Sequence, residues 1–289
     1  MNENRKIYDD SFHFFKQLII LLVLIQTNPL QNSRYKHILF SELNQIILKV
    51  KGSGNILVIN LGYNDKPSSY FLNKDSTPKT INGSSIELSK TENEVTLIFT
   101  NPVSTCYSMF KGCSQIIEID LSNFNSSNVG NIDRMFYDCT SLKSIKFGNF
   151  QTSNLNIMEY VFYNCLSLEA LDLSSFDTSK VTDFHYMFYG CSSLKYLDLS
   201  NFNTSSCICT YDMFNGCTSI TSINLSSFDT SKVTLMCNMF YDCKNLVSLD
   251  LSSFDTVSVT HMEGMFYGCE KLVFVNFKKA LLSTNFASI

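Results

Sequence analysis

Apolar and polar residues recur along most of the chain with a fixed period of 26 residues. The clearest marker is the pattern M-F-x-[G/D/N]-C, whose cysteines are Cys113, Cys139, Cys165, Cys191, Cys217, Cys243 and Cys269. A period between about 20 and 50 residues is typical of solenoids, in which each coil buries its apolar face against its neighbours. The period therefore predicts seven stacked coils, the last one incomplete, over residues 106–289.

Each repeat contains a pattern that predicts a short strand. Leu197 and Leu199 alternate with Asp198, which places the two leucines on one side of an extended segment and the aspartate on the other. Stacked coils would align such segments side by side. We therefore expect a parallel sheet of seven strands along one face.

The segment before each of the seven repeated cysteines, which we call the ladder cysteines, carries a helical pattern. Ser179 is a suitable N-cap residue there, as are Ser127, Ser153, Ser205 and Ser231. The apolar residues that follow recur at a spacing that marks one face of a helix, and they are Val181, Phe184, Met187, Phe188 and Cys191. The residue before each cysteine is Gly, Asp or Asn, the types that enter the left-handed region most cheaply, which predicts a helix C-cap there.

These patterns together predict an α/β solenoid, a right-handed leucine-rich-repeat coil stack with a parallel sheet on one face and short helices on the other. The string L-D-L-S-S-F-D-T-S-K-V at Leu171–Val181 returns nearly unchanged at Ile223–Val233 and Leu249–Val259, and M-F-Y-G-C-S-S-L stands at Met187–Leu194. This wording resembles the BspA-type leucine-rich-repeat surface proteins. The resemblance implies an extracellular or cell-surface protein that binds host or matrix proteins, and it implies no enzyme chemistry.

The first part of the chain does not follow the 26-residue period. Leu18–Ile25 is an unbroken apolar octet, too short to span a bilayer, which needs about 20 residues, but suitable as the core of a secretory signal. Asp9 and Asp10 dilute the positive charge before it, and no A-x-A-like cleavage site follows. We assign residues 1–30 to a targeting or hydrophobic segment; a hydrophobic helix packed on the body is the alternative.

Residues 31–105 predict a small β-rich N-terminal cap. Apolar and polar residues alternate in four stretches, with turn signals between them: Ile46–Val50, Ile56–Leu61, Ile86–Leu88 and Val95–Phe99. Terminal caps are what a solenoid needs to shield its first coil.

Charge and chemistry exclude several function classes. The net charge is −4 with 17% charged residues, and Lys and Arg do not cluster, which argues against nucleic-acid binding. No nucleophile–base pair, paired metal ligands or phosphate loop is evident, so we expect no enzyme, no cofactor or metal and no small-molecule substrate. We interpret the ladder cysteines as buried free thiols, and the scattered histidines His13, His37, His185 and His261 as solvated. Cys209 and Cys237 should face outward on successive helices, where a disulfide between them stays open.

Two surfaces could bind a partner. The exposed side of the strands forms the first candidate, with residues Glu118, Asp120, Lys146, Asp172, Tyr196, Asp198, Asn224, Asp250 and Phe274. Tyrosines repeating at one helix position could form an adhesive stripe or simply lie across the neighbouring coil; they are Tyr137, Tyr163, Tyr189, Tyr241 and Tyr267.

The functional hypothesis is a secreted or cell-surface protein that binds a protein or glycan-bearing macromolecule. The expected chain has no membrane-spanning segment beyond an N-terminal signal. A cytoplasmic leucine-rich-repeat scaffold for protein–protein interaction is the alternative.

Overall fold

The computed structural model describes residues 43–60, 62–75 and 77–277. All of them except Leu43 belong to one unit that begins at Asn44. The predicted targeting segment, the first residues of the predicted cap and residues 278–289 lie outside the described residues.

The described residues before the repeats form five strands: β1 (Gln45–Lys51), β2 (Gly54–Leu57), β3 (Ser69–Leu72), β4 (Ser85–Leu88) and β5 (Glu92–Ile98). In β1 the side chains of Ile46, Leu48 and Val50 are fully buried, whereas Lys49 and Lys51 are exposed. The four alternating stretches overlap β1, β2, β4 and β5, so a strand at each of them is confirmed, but β2 ends at Leu57 and does not fill the predicted stretch Ile56–Leu61. Strand β3 was not predicted.

Six short strands follow in the repeats: β6 (Ile116–Asp120), β7 (Ser144–Lys146), β8 (Tyr196–Asp198), β9 (Ser222–Asn224), β10 (Ser248–Asp250) and β11 (Phe274–Asn276). Strand β1 pairs antiparallel with β5 on one edge and with β6 on the other, and β6 pairs parallel with β7. The resulting five-stranded mixed sheet has the order β3-β5-β1-β6-β7. Backbone hydrogen bonds therefore join the first repeat directly to the N-terminal strands.

The predicted continuous parallel sheet of seven strands is wrong. The remaining repeat strands form two separate parallel pairs, β8–β9 and β10–β11, and the third repeat contributes no strand. The lateral hydrogen bond lengthens to 3.4 Å at two of the breaks, from Glu169 N–H to Lys143 O and from Val247 N–H to Thr221 O. Inside the β8–β9 pair, Thr221 N–H reaches Lys195 O at 2.9 Å. At 3.4 Å the bond is beyond the usual range, and the regular ladder ends there.

The predicted helices are also wrong, and with them the α/β solenoid: the described residues contain β-strands and turns but no α-helix. An α-helix requires each N–H to bond the carbonyl four residues earlier. Here the Phe188 N–H donates to Met213 O, 25 residues later, at 2.9 Å. Tyr186 and Gly190 have φ values of 58° and 70°, left-handed conformations that a right-handed helix cannot include. The apolar spacing was correct, but the hydrogen-bond partner lies in the next repeat.

Two local predictions at the ends of this segment have different outcomes. The Ser179 N–H donates to Asp177 Oδ1 at 3.0 Å, so this serine closes a turn and caps no helix. The predicted left-handed conformation before each ladder cysteine is confirmed, with φ values of 77° at Gly112, 58° at Asp138, 55° at Asn164, 70° at Gly190, 74° at Gly216, 55° at Asp242 and 72° at Gly268. These residues end a turn, where a positive φ reverses the chain.

Identical residues of successive repeats stack on one another in the core. One column of phenylalanine rings runs through Phe110, Phe136, Phe162, Phe188, Phe214, Phe240 and Phe266, with neighbouring ring centroids 5.4 to 6.0 Å apart. The ladder cysteines lie beside it as free thiols, buried except for the half-buried Cys269. The Cys191 Sγ–H donates to Phe162 O at 3.2 Å, and the same contact recurs along the ladder. The interpretation as buried free thiols is confirmed.

A column of hydroxyls is buried as well, which the sequence reasoning missed. The side chains of Ser126, Thr152, Thr178, Thr204, Thr230 and Thr256 are at most 5% exposed. Thr204 Oγ1 accepts the Asp229 N–H at 2.8 Å and donates to Asp229 O at 3.0 Å. One hydroxyl thus satisfies both backbone groups of a residue in the next repeat, where a buried unpaired group would be costly.

We expect Thr204→Val to lower the free energy of unfolding by about 1–3 kcal/mol, because the Asp229 N–H loses its acceptor without any change in side-chain shape. Thr204→Ser keeps the hydroxyl and should lose less, about 1 kcal/mol for the missing methyl group. Urea unfolding measures both variants. Thr234→Val, at an exposed threonine, is the control; equal losses for Thr204→Val and Thr204→Ser would contradict a role for the hydroxyl.

Candidate functional site

The strand face begins at a charged groove where β1 meets β6 and β7. The groove, about 320 Å³ in volume, brings together three of the predicted binding residues, Glu118, Asp120 and Lys146. Lys49 Nζ lies 2.5 Å from Glu118 Oε2, and Lys146 Nζ lies 3.1 Å from Asp120 Oδ2. These charges are already paired within the chain. Exposed pairs of this kind contribute little stability, and a partner would have to compete with them.

The other predicted residues of the strand face are spread along the breaks in the sheet. Asp172 lies in the repeat that has no strand, whereas Asp198 and Asn224 are register partners in the β8–β9 pair. Tyr196 is 51% exposed and Phe274 is 61% exposed, but three repeats separate them. Asp250 Oδ1 accepts a hydrogen bond from Asn276 Nδ2 at 3.1 Å. The described part of this face therefore carries no continuous aromatic surface.

The Asp and Asn residues of the strand face have a structural role. Each Asp or Asn accepts, through its Oδ1, the backbone N–H of the serine two residues later, at 2.8 to 3.2 Å; the acceptors are Asp120, Asp172, Asp198, Asn224 and Asp250. Hydrogen bonds from Ser174 and Ser200 lower the pKa of Asp172 and Asp198, respectively. Asp and Asn are the residues that close such turns with their own side chain. The preference for them at this position is explained by the turn.

Six tyrosines form a surface on the turn side of the repeats, which we call the tyrosine patch: Tyr137, Tyr160, Tyr163, Tyr186, Tyr189 and Tyr211. Together with Asp212, Asn215 and Asn238 they line a depression of about 420 Å³. Tyr163 stacks on Tyr137 at 4.5 Å and on Tyr189 at 4.7 Å between ring centroids, nearly parallel in both cases. Burial raises the pKa of Tyr163 to about 12, so its hydroxyl is a neutral donor and acceptor at physiological pH.

The tyrosine patch differs from the predicted stripe in two ways. Asn215 interrupts the stripe, which leaves Tyr241 and Tyr267 as a separate stacked pair with centroids 4.8 Å apart. A second column, Tyr160, Tyr186 and Tyr211, joins the first and was missed. Sequence spacing could have revealed this column. Tyr160 and Tyr186 are 26 residues apart and precede Tyr163 and Tyr189 by three residues, and Tyr211 follows Tyr186 by 25 residues. The alternative that the stripe tyrosines lie across the neighbouring repeat is confirmed, as for Tyr163 on Tyr189 and Tyr241 on Tyr267.

A mixed cluster of titratable groups lies beside the tyrosine patch. Asp183, His185 and Cys209 offer donor atoms within 4.8 Å of one another, and we call this set the histidine cluster. His185 Nδ1 lies 2.7 Å from Asp183 Oδ1, and its Nε2 lies 3.9 Å from Glu159 Oε2. Burial would lower the pKa of His185, but Asp183, followed by the charges of Glu159 and Asp133, outweighs burial and raises it.

This cluster corrects two predictions. His185 is half-buried between carboxylates, and Cys209 is buried with a relative exposure of 7%, so the former is no solvated histidine and the latter does not face outward. Cys209 and Cys237 are both free, so the disulfide left open does not form. Sequence spacing could have revealed this cluster, because Cys209 follows Asp183 by one repeat of 26 residues and His185 follows Asp183 by two residues.

Comparison with protein families identifies the repeats. Residues 104–223 and 194–279 match the model of DUF285, described as Mycoplasma protein of unknown function, and the two matches together span more than half of the chain. The chain belongs to the DUF285 family. No curated protein and no solved structure matches the DUF285 chain. The resemblance to the BspA-type proteins is not confirmed by this match and stays a prediction.

The part of the DUF285 chain that the structure describes contains no helix long and apolar enough to cross a membrane.

We expect the turn aspartates to make the DUF285 chain sensitive to acid. Hydrogen bonds from Ser179 lower the pKa of Asp177, and hydrogen bonds from Ser231 lower that of Asp229. Because the folded-state pKa lies below the unfolded value of about 3.9, the stabilisation is complete above that pH and is lost as the pH falls through the folded-state pKa. The double variant Asp177→Asn/Asp229→Asn should therefore flatten the fall of the melting temperature below about pH 4.

Asparagine already occupies this position in other repeats of the chain. Asn125 and Asn203 close the same turn, each accepting through Oδ1 the N–H of the serine two residues later at 3.1 Å. Glu169→Gln, at an exposed carboxylate, controls for the loss of negative charge alone. Parallel acid profiles for the double variant and the parent chain would refute the assignment.

Proposed function

We propose that this DUF285 protein is a non-enzymatic secreted or cell-surface protein that binds a macromolecular partner through the tyrosine patch. The observation that carries the proposal is the concentration of six tyrosines around one shallow depression, each in stacked or edge-to-face contact with another. Tyrosine is among the residues that dominate binding energy at protein interfaces.

Stacking prepares these side chains for binding. A side chain that becomes immobile at an interface costs about 0.5–1.5 kcal/mol of conformational entropy. Tyr163 and Tyr186 are already held by their neighbours in the free chain, with Tyr186 stacked on Tyr160 at 4.9 Å. The patch therefore offers rigid aromatic surface with much of that cost already met within the fold.

The geometry favours a protein over a sugar ring as the occupant. A sugar ring packs against the open face of an aromatic ring, but the faces of Tyr163 are covered by Tyr137 and Tyr189. What remains for a partner is ring edges, hydroxyls and the polar groups of Asp212, Asn215 and Asn238 around the depression. Such a mixture of aromatic edges and hydrogen-bonding groups is common at protein–protein interfaces.

Two further observations support a binding role without catalysis and outside the cell. Burial raises the pKa of Cys191 to about 12, and thiols of that kind are poor nucleophiles. The amino-acid sequence of the repeats resembles that of surface proteins that bind host or matrix proteins. An intracellular scaffold of the same fold is the second candidate, since the tyrosine patch would serve either setting.

Location can be tested on intact cells that produce the full chain. A membrane-impermeant amine-reactive label should modify exposed lysines such as Lys180 and Lys232 if the protein is outside. A cytosolic marker protein must stay unlabelled in the same sample. Labelling only after lysis would overturn the surface assignment and favour the intracellular scaffold.

Binding can be tested with hydroxyl deletions that keep the stacks. The purified chain is screened against extracellular matrix and plasma proteins, and a hit is titrated with Tyr163→Phe/Tyr186→Phe. We expect at least about a tenfold weaker affinity with little change in melting temperature, because interface residues of this kind contribute about 1–2 kcal/mol or more.

Two matched variants locate the site. Tyr241→Phe removes a hydroxyl from a stacked tyrosine outside the depression and should leave the affinity unchanged. Tyr196→Ala removes one of the two exposed aromatic residues of the strand face, the other being Phe274. Loss of affinity with Tyr196→Ala but not with the double variant would move the site to the strand face.

A further inference from the structure

The histidine cluster holds three different donor atoms on two adjacent repeats. Asp183 supplies a carboxylate oxygen, His185 an imidazole nitrogen and Cys209 a thiol sulfur, and all lie within 4.8 Å of one another. Among the described residues this is the one set of three or more such donors close enough to share an ion.

The backbone places the three donors without help from a ligand. Asp183 and Cys209 are paired in a parallel β-bridge, so their side chains occupy the same position on neighbouring repeats. His185 is held by the hydrogen bond from its own N–H to Asp183 Oδ1 at 2.9 Å. The corresponding residues of the preceding pair of repeats, Asn131 and Ile157, supply no such set.

The surroundings of the cluster carry an excess of negative charge. Three carboxylates, those of Asp133, Glu159 and Asp183, act on His185. Arg134 is their nearby cation: it contacts Asp133 Oδ2, and its guanidinium lies over the Tyr160 ring at 4.3 Å. The other oxygen of Asp133, Oδ1, is buried and has no hydrogen-bond partner among the described residues. A buried unpaired carboxylate oxygen is costly and is stabilised by a nearby cation.

We propose that Asp183, His185 and Cys209 form a binding site for a divalent transition-metal ion, with Zn²⁺ as the preferred ion. Oxygen, nitrogen and sulfur donors in one set match zinc, whereas calcium and magnesium take oxygen ligands. Three protein ligands leave one coordination position of tetrahedral zinc for water or for a donor from a partner.

Glu159 fits the role of an orienting group behind the metal ligand. If Nδ1 of His185 binds the ion in place of its present contact with Asp183, Nε2–H faces Glu159 Oε2, now 3.9 Å away. Metal-ligating histidines usually donate their second N–H to a carboxylate or carbonyl, which sets the orientation of the ring. Glu159 belongs to the repeat before Asp183, so the ion and its supporting carboxylate would connect three consecutive repeats.

The test uses the full chain, stripped of metal with EDTA and titrated with Co²⁺ as a spectroscopic probe and with Zn²⁺ in competition. We expect one Co²⁺ per chain with a thiolate-to-cobalt charge-transfer band, displaced by Zn²⁺. Cys209→Ser should abolish the band, and His185→Asn should abolish the 1:1 binding of Zn²⁺. Glu159→Gln should weaken Zn²⁺ binding about tenfold or more, because it acts on the ligand and does not touch the ion.

Matched controls come from later repeats. Cys237→Ser removes a half-buried thiol, whose Sγ lies 3.0 Å from Glu263 Oε2, and His261→Asn removes an exposed histidine. Both variants should keep the band and the affinity. Zn²⁺ should raise the melting temperature of the parent chain and of both controls but not that of His185→Asn, a half-buried position where the fold should persist. A parent chain without the band, a band that survives Cys209→Ser, or its loss in Cys237→Ser would overturn the proposal.

Discussion

The lateral hydrogen bond from one repeat to the next is the interaction on which the rest of this structure depends. The N–H of Phe188 donates to Met213 O, and the equivalent bond recurs at Phe110, Phe136, Phe162, Phe214 and Phe240 at 2.9 to 3.0 Å. A buried backbone group must find a partner, and in this fold the partner lies in the following repeat. An insertion within one repeat would displace its donors and acceptors relative to the repeats on either side, which favours a constant period of 26 residues.

Because the register is constant, each sequence position becomes a column in space. Where the residue is repeated, the column is a structural ladder, as with the phenylalanine rings, the cysteine thiols and the threonine hydroxyls. Where the residue varies, the column acquires local chemistry. The position of Asp183 becomes Cys209 in the next repeat, and the position of Tyr189 becomes Asn215. The histidine cluster arises from such a departure, whereas the tyrosine patch consists of repeated tyrosines and ends where Asn215 replaces the next one.

The segment of turns before each ladder cysteine shows most clearly what the sequence could predict and what it could not. The apolar spacing of Phe184, Met187 and Phe188 identified the buried side chains correctly, because a chain of tight turns and a helix can both bring these positions inward. It could not identify the hydrogen-bond partners. The left-handed conformation of Gly190 was predicted from residue type, but that of Tyr186 was not, because tyrosine has no intrinsic preference for it. The lateral bond of the Tyr186 N–H to Tyr211 O, 3.0 Å, accompanies that conformation.

The sequence by itself determined the period, the inward residues, the free buried thiols and most N-terminal strands, since these follow from side-chain polarity and from spacing along one chain. Only the tertiary structure decided that the repeats contain turns in place of helices and that the sheet is interrupted. It also decided that the tyrosines form two joined columns and that Asp183, His185 and Cys209 meet. The physical reason is the same in each case: these features depend on which groups face each other across repeats 25 or 26 residues apart. The local conformational preferences of individual residues carry no information about contacts between residues so far apart in the sequence.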